Sequence, residues 1–165
     1  MIRNTTHFVS MRRTAVAALA LTFGLAIGSP AWADPICKAV HSRVDLAAGD
    51  PTCGSAIGLC AGGMLYGNLK GNSEFVGTSF APSVDTAATG VVLLTGDNTI
   101  HTQDGDIFTK DAIVLATTGA GEFAEVDTIV GGTGVYAGAS GKFTATGTFA
   151  NGAGVGVLVG EICVP

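Results

Sequence analysis

From Leu59 onward the chain is written in strand-sized pieces, alternating side by side with turn residues. "MLYGNLKG" (64–71) sets Leu65 and Leu69 against Met64, Tyr66, Asn68 and Lys70. "EFVGTSFA" (74–81), "TGVVLLTG" (89–96), "NTIHTQ" (98–103), "DIFTKDAIVLATT" (106–118), "EFAEVDTIV" (122–130), "GKFTATGTFA" (141–150) and "GVGVLVGEICV" (154–164) follow. Short alternating runs bounded by Gly, Asn, Asp and Ser read as strands, and no stretch sustains a helical period. About eight antiparallel strands with short turns leave no room for crossover helices. They predict an all-β fold, a single eight-stranded antiparallel β-barrel, because closure removes exposed sheet edges. A two-sheet β-sandwich is the alternative. Gly67, Gly77, Gly147 and Gly156 fall inside strands and are read as barrel bends or bulges. Asp104 and Gly105 give the strongest hairpin signal and predict a type I′ turn.

The text before Leu59 is different. "DPICKAVHSRVDLAAGDPTC" (34–53) mixes charged and apolar residues, with Asp34 and Pro35 placed to cap one short helix and Asp50 and Pro51 to close it. Further upstream, Arg12 and Arg13 precede an apolar run from Thr14 to Ile27, and Ala31 and Ala33 supply a small-x-small cleavage pattern. Residues 1–33 therefore read as a secretory signal peptide, starting at Met1 or Met11, with cleavage before Asp34. The expected organisation is a signal at 1–33, a disulfide-tied segment at 34–58 and the barrel at 59–165. The protein is expected to be exported, to the periplasm or beyond the cell.

Charge changes the picture by exclusion. Without residues 1–33 the chain keeps five Lys and Arg against thirteen Asp and Glu, a formal net charge of −8. Nucleic acid as a partner requires the opposite sign, and an anionic membrane surface would repel this chain. Cys37, Cys53, Cys60 and Cys163 all remain, an even count that reads as two disulfides in an exported protein. Cys53–Cys60 with Cys37–Cys163 is the favoured pairing, and Cys37–Cys53 with Cys60–Cys163 the rival. No tight Cys-x-x-Cys pair suggests a metal.

"IVGGTGVYAGASGKFTATGTF" (129–149) carries a relaxed dinucleotide-binding pattern at Gly132, Gly134 and Ala137. That reading needs a helix after the glycines. Instead Phe143, Ala145 and Phe149 alternate with Thr144, Thr146 and Thr148, so no nucleotide cofactor is expected. The segment resembles the Gly-Gly-Thr-Gly-x-aromatic signature of the allene oxide cyclase and dirigent superfamily, on Gly131, Gly132, Thr133, Gly134, Tyr136, Ala139 and Gly141. Ser140 stands where dirigent proteins typically carry arginine. The resemblance implies an eight-stranded barrel with an apolar ligand cavity, and a homo-trimer.

Chemistry rests on few residues. In "EFAEVDTIV", Phe123, Glu125, Asp127 and Ile129 share one face, and Ala124, Val126, Thr128 and Val130 the other. The second face is uniformly small, apolar or β-branched and is the favoured core, which leaves Glu125 and Asp127 solvated. If the first face lines a cavity, both carboxyls are desolvated and suited to general acid–base work. Asp127, Glu125 and His101 are the candidate catalytic residues, with Tyr66 and Tyr136 as candidate ligand-binding hydroxyls. The acidic run holding Asp97, Asp104, Asp106 and Asp111 lacks calcium-loop spacing and reads as a hairpin with charged ends. The expected function is an exported barrel that binds or transforms a small apolar or aromatic molecule. Cofactor-independent isomerisation, cyclisation or elimination, a non-catalytic carrier role and a structural surface role are the three readings.

Overall fold

The computed structural model describes residues 34–82 and 90–165; the segment 1–33, read as a signal peptide, lies outside them. Eight strands follow in chain order: β1 Ile36–Ala48, β2 Cys60–Gly67, β3 Gly71–Pro82, β4 Val91–Thr102, β5 Gly105–Ala116, β6 Glu122–Gly132, β7 Ser140–Ala150 and β8 Ala153–Val164. Each pairs antiparallel with the next, and β8 pairs with β1, so the sheet closes into a barrel. The barrel is the expected fold, and no edge strand remains to be protected.

Its first strand corrects the sequence reading. Residues 36–48 form a strand rather than a short helix, hydrogen-bonded to β8 on one side and β2 on the other. Val40, Ser42 and Val44 are buried, and His41 and Asp45 point out. The barrel thus begins at Ile36, and only the loop 49–59 lies between its first two strands. Residues 91–102, expected as two pieces, are one strand with Gly96 in its middle. The expected number of strands is right because these two differences offset one another.

The turns differ in detail. At the β4–β5 hairpin Gly105 has a positive φ and Asp104 does not, so this turn is not type I′. Thr102 Oγ1 stabilises it, accepting from the Asp104 N–H at 3.1 Å and donating to the Gly105 carbonyl at 2.7 Å. The I′ geometry occurs at the β7–β8 hairpin instead, where Asn151 (φ 55°) and Gly152 (φ 80°) are both left-handed. Two register shifts, at Gly77/Ser79 and Phe108/Thr109, bend β3 and β6. The other in-strand glycines make room. Side chains at Gly96, Gly147 or Gly156 would run into the rings of Phe75 or Phe123.

Both disulfides have the favoured pairing, Cys37–Cys163 and Cys53–Cys60. The first clasps β1 to β8 at the seam, where the two cysteines are register partners. Among the described residues no helix is long and apolar enough to cross a membrane.

The interior has two unlike halves. Towards the end formed by the start of β5 and the end of β6, Ile100, Ile107, Ile129, Phe143 and Ile162 are almost wholly buried and fill the barrel. The glycine-rich segment closes this end: Gly134–Tyr136 form one 3-10 turn, and Tyr136 and Ala139 pack onto that core. Towards the opposite end the apolar side chains line the walls and leave a hollow. An eight-stranded barrel is just wide enough either to be filled by side chains or to leave room for one small molecule, and this one is filled in one half and hollow in the other.

Candidate functional site

Where the two halves meet, three carboxyl groups face one another inside the barrel. Asp111 on β5 and Asp127 on β6 are register partners, and Glu125 sits one inward position further along β6. One oxygen of each lies within 4.8 Å of the others. Asp111 and Asp127 are 3% and 2% exposed. The strand period places them there: Ile107, Thr109, Asp111, Ile113 and Leu115 form one face of β5, and Phe123, Glu125, Asp127 and Ile129 one face of β6. Apolar residues close each face around the polar positions: Ile107, Ile113 and Leu115 on β5, Phe123 and Ile129 on β6.

The favoured sequence reading of β6 is therefore reversed. Its small apolar face is the outer one, with Val126 and Val130 41% and 55% exposed. The carboxyl face is the inner one. Asp111 is also inside the barrel and does not belong to a charged hairpin end. The rest of that acidic run is at the surface, where Asp97 pairs with Lys110 at 2.5 Å and Asp106 with His101.

Burial sets the electrostatics. Desolvation is the largest cause raising all three groups, since a dry interior disfavours the charged form. Glu125 is raised most, to about 10, because the charges of Asp127 and Asp111 add to its burial. Asp127 is raised to about 8 by burial and then by Asp111. Asp111 is raised least, to about 6, because hydrogen bonds oppose its burial. Thr109 Oγ1 donates to Asp111 Oδ1 at 2.6 Å. In the neutral range burial and mutual repulsion thus keep protons on this cluster, with Glu125 raised furthest.

The cluster forms the floor of a cavity. A space of about 110 Å³ lies above it, walled by Leu46, Leu94, Leu115 and the rings of Phe75, Phe123 and Phe149. Asn98 and Glu125 are its polar lining groups. A smaller space of about 40 Å³ lies beneath, touching Asn98, Glu125 and Asp127. Leu59, Leu94 and Leu115 also border a wider hollow of about 390 Å³ at the rim. Leu59 is fixed there by the loop 49–59, where Ser55 Oγ donates to the Gly77 carbonyl at 2.6 Å and accepts from the Leu59 N–H at 3.1 Å. Cys53–Cys60 ties the same loop to the start of β2.

Of the residues singled out in the sequence, Glu125 and Asp127 come together in this cluster, Glu125 bordering both spaces and Asp127 the lower one, and the others do not. His101 lies on the outer face of β4, with Nδ1 2.8 Å from Asp106 Oδ1 and Nε2 3.6 Å from Glu74. Its pKa is raised, first by the hydrogen bond with Asp106. Tyr66 is half exposed on the outside of β2, and Tyr136 packs against the closed end. Of the residues read as a structural turn, Gly131 and Gly132 end β6, and Thr133 and Gly134 lead from it into the 3-10 turn. The Thr133 and Val135 N–H groups donate to the carbonyls of Asp106 and Asp104, and Tyr136 N–H to Thr133.

Asp111, Thr109 and Asn98 are the site residues that sequence reasoning passed over. The signal for Asp111 was a carboxylate at the centre of an otherwise apolar alternating face, the same signal as on β6. The three carboxylates and the Asn98 oxygen also have the donor types of a divalent-cation site, which the sequence reading did not anticipate. Comparison of the chain with protein-family models, curated proteins and solved structures yields no match.

Proposed function

We propose that this protein is an exported barrel that binds a small, largely apolar molecule in its open half and exchanges a proton with it through Glu125. One observation carries the reading: an apolar, aromatic-walled cavity of about 110 Å³ whose floor is a carboxyl group held protonated. An engineered apolar cavity of about 150 Å³ accepts benzene, so this one takes a group of about that size, with the remainder of a larger molecule extending past Leu59 and Leu115.

The chemistry follows from the floor. Glu125 donates its proton to an acceptor atom of the bound molecule, and the Asp127–Asp111 pair, once ionised, takes a proton from elsewhere on the same molecule. Moving one proton in and one out is isomerisation, cyclisation or elimination, and it needs no nucleotide. Geometry favours this over a purely structural role, because a barrel filled by side chains has no use for three buried carboxyls, each costly to desolvate. The export part of the proposal is supported by the two disulfides. The superfamily resemblance of 130–141 agrees with a ligand-holding barrel. The trimer it implies is supported by Val126, Val155 and Val157, which are exposed on the outer faces of β6 and β8.

The test is ligand capture followed by two variants. Native mass spectrometry of protein purified from its own host should show a retained small molecule. Ala61→Phe, which fills the cavity, should abolish retention. Glu125→Gln, assayed at saturating ligand, should lose the conversion; a conversion rate unchanged in Glu125→Gln would reduce the protein to a carrier. Retention unchanged in Ala61→Phe would remove the cavity from the proposal altogether.

A further inference from the structure

We propose that the molecule held in the open half is an amphiphilic amine, bound as its ammonium ion with the cation on the carboxyl floor and the apolar body among the phenylalanines. This deepens the ligand-binding reading above and rests on it.

The argument begins with unsatisfied oxygens. Among the described residues, the buried side-chain polar atoms without a partner are Asn98 Oδ1, Asp111 Oδ2 and Asp127 Oδ1. All three are acceptors in this one cluster. Asp127, only 2% exposed, borders the lower cavity, so its unpaired oxygen has space beside it. Buried acceptors are ordinarily paired, and leaving one bare costs about 1–3 kcal/mol. The donors already in the floor leave these three oxygens unpaired, and an ammonium ion brings three N–H groups.

Charge points the same way. The strands around the cluster contribute no cation to the two interior cavities. β1 supplies Val44 and Leu46, β2 Ala61 and Leu65, β3 Ser73 and Phe75, and β4 Asn98. The titratable groups there are Glu125 and Asp127 of β6, with Asp111 of β5 beside them. Buried carboxylates need a counter-charge, and in this barrel it has to come with the ligand. An anionic ligand would meet the opposite. A bare metal ion would satisfy the floor and leave the apolar space above it unexplained. An organic cation fills both, and the rings of Phe75, Phe123 and Phe149 suit its charge as well as its carbon.

Binding then releases protons. In the neutral range the cluster holds protons that an ammonium ion must displace, so affinity should rise with pH until the amine itself loses its charge. Isothermal titration calorimetry with benzylamine and benzyl alcohol, at pH 5 and pH 8 and in buffers of different ionisation enthalpy, tests this. At pH 8 benzylamine should bind at least about tenfold more tightly than benzyl alcohol, the factor that 1.4 kcal/mol represents, with net proton release. Its affinity should fall at pH 5. Glu125→Gln and Asp127→Asn, both isosteric, should bring benzylamine to the level of the alcohol and leave the alcohol unchanged. Equal binding of the two ligands, or benzylamine binding unaltered in both variants, overturns the proposal. So does stoichiometric calcium or manganese that competes with the amine, which would assign the floor to a metal. Binding of benzyl alcohol alone sinks this inference and spares the ligand-binding reading; binding of neither, with Ala61→Phe indistinguishable from the parent, sinks both.

Discussion

Asp111 and Asp127 stand directly opposite each other across the β5–β6 ladder, both with their side chains inside the barrel. Like charges opposed across a strand pair destabilise it, and burial adds to the cost. With Glu125 beside them, these residues make the fold sensitive to alkali. An acid whose folded-state pKa exceeds its unfolded value binds more protons when folded, so stability falls as pH rises. The unfolded values lie near 4, and the folded ones are raised to about 6, 8 and 10. The contribution is therefore fully present below about pH 4 and is lost progressively as pH rises through the folded values. Thermal unfolding followed by circular dichroism should show Tm falling by more than about 5 °C from pH 5 to pH 9.

The amides of these acids should reverse that trend. Glu125→Gln combined with Asp127→Asn leaves the shape and removes two ionisations. At pH 9 the double variant should melt above the parent, and at pH 4 the two should agree within about 1 kcal/mol. A double variant with the parent's pH slope would place the titrating groups elsewhere.

Gly134 and Gly54 separate backbone strain from contact. Both have left-handed φ, 58° and 85°. A side chain at Gly54 meets nothing, whereas one at Gly134 collides with the carbonyl of Asp104. Gly54→Ala should cost about 1 kcal/mol from φ alone, and Gly134→Ala roughly 3 kcal/mol because the closed end must also shift. Urea titration of the two variants reads the difference.

The disulfides should contribute unequally. Cys37–Cys163 spans 126 residues and Cys53–Cys60 spans 7. On chain-entropy grounds the first is worth about 5 kcal/mol and the second about 2 kcal/mol. Paired serine variants should follow that order in denaturant midpoint. Loss of Cys53–Cys60 should have the larger effect on ligand binding, because it frees the loop that holds Leu59 at the rim.

His101→Gln should leave ligand binding untouched and change stability by less than about 1 kcal/mol, as exposed ion pairs do. In the parent protein, NMR titration should find the His101 pKa above the usual histidine range, the direction its bond to Asp106 sets. A loss of ligand binding in His101→Gln would contradict its place on the outer surface.

The barrel was legible because turn residues and period-two text are local signals. Strand β1 was less legible. Asp34, Pro35 and the charges at Lys38, Arg43 and Asp45 resemble a helix start, although Val40, Ser42, Val44 and Leu46 already alternate. The site was half legible for a sharper reason. Alternation names two faces and does not say which is inside. On β6 the greasier face, Ala124 to Val130, is outside, and the rule that apolar residues face inward fails where an interior carries function. Asp111 escaped notice because its cross-strand partner is sixteen positions away, a relation that only register reveals.

A barrel filled at one end and hollow at the other is also a gauge of length. Its floor is fixed by Phe143, Ile107 and Ile129, which have no room to yield. Any molecule that touches Glu125 is therefore measured from a common zero. On the proposed reading, two homologous ligands would differ only in how far each stands out past Leu59 and Leu115, and discrimination by chain length would fall to the rim, with the shared head at the floor.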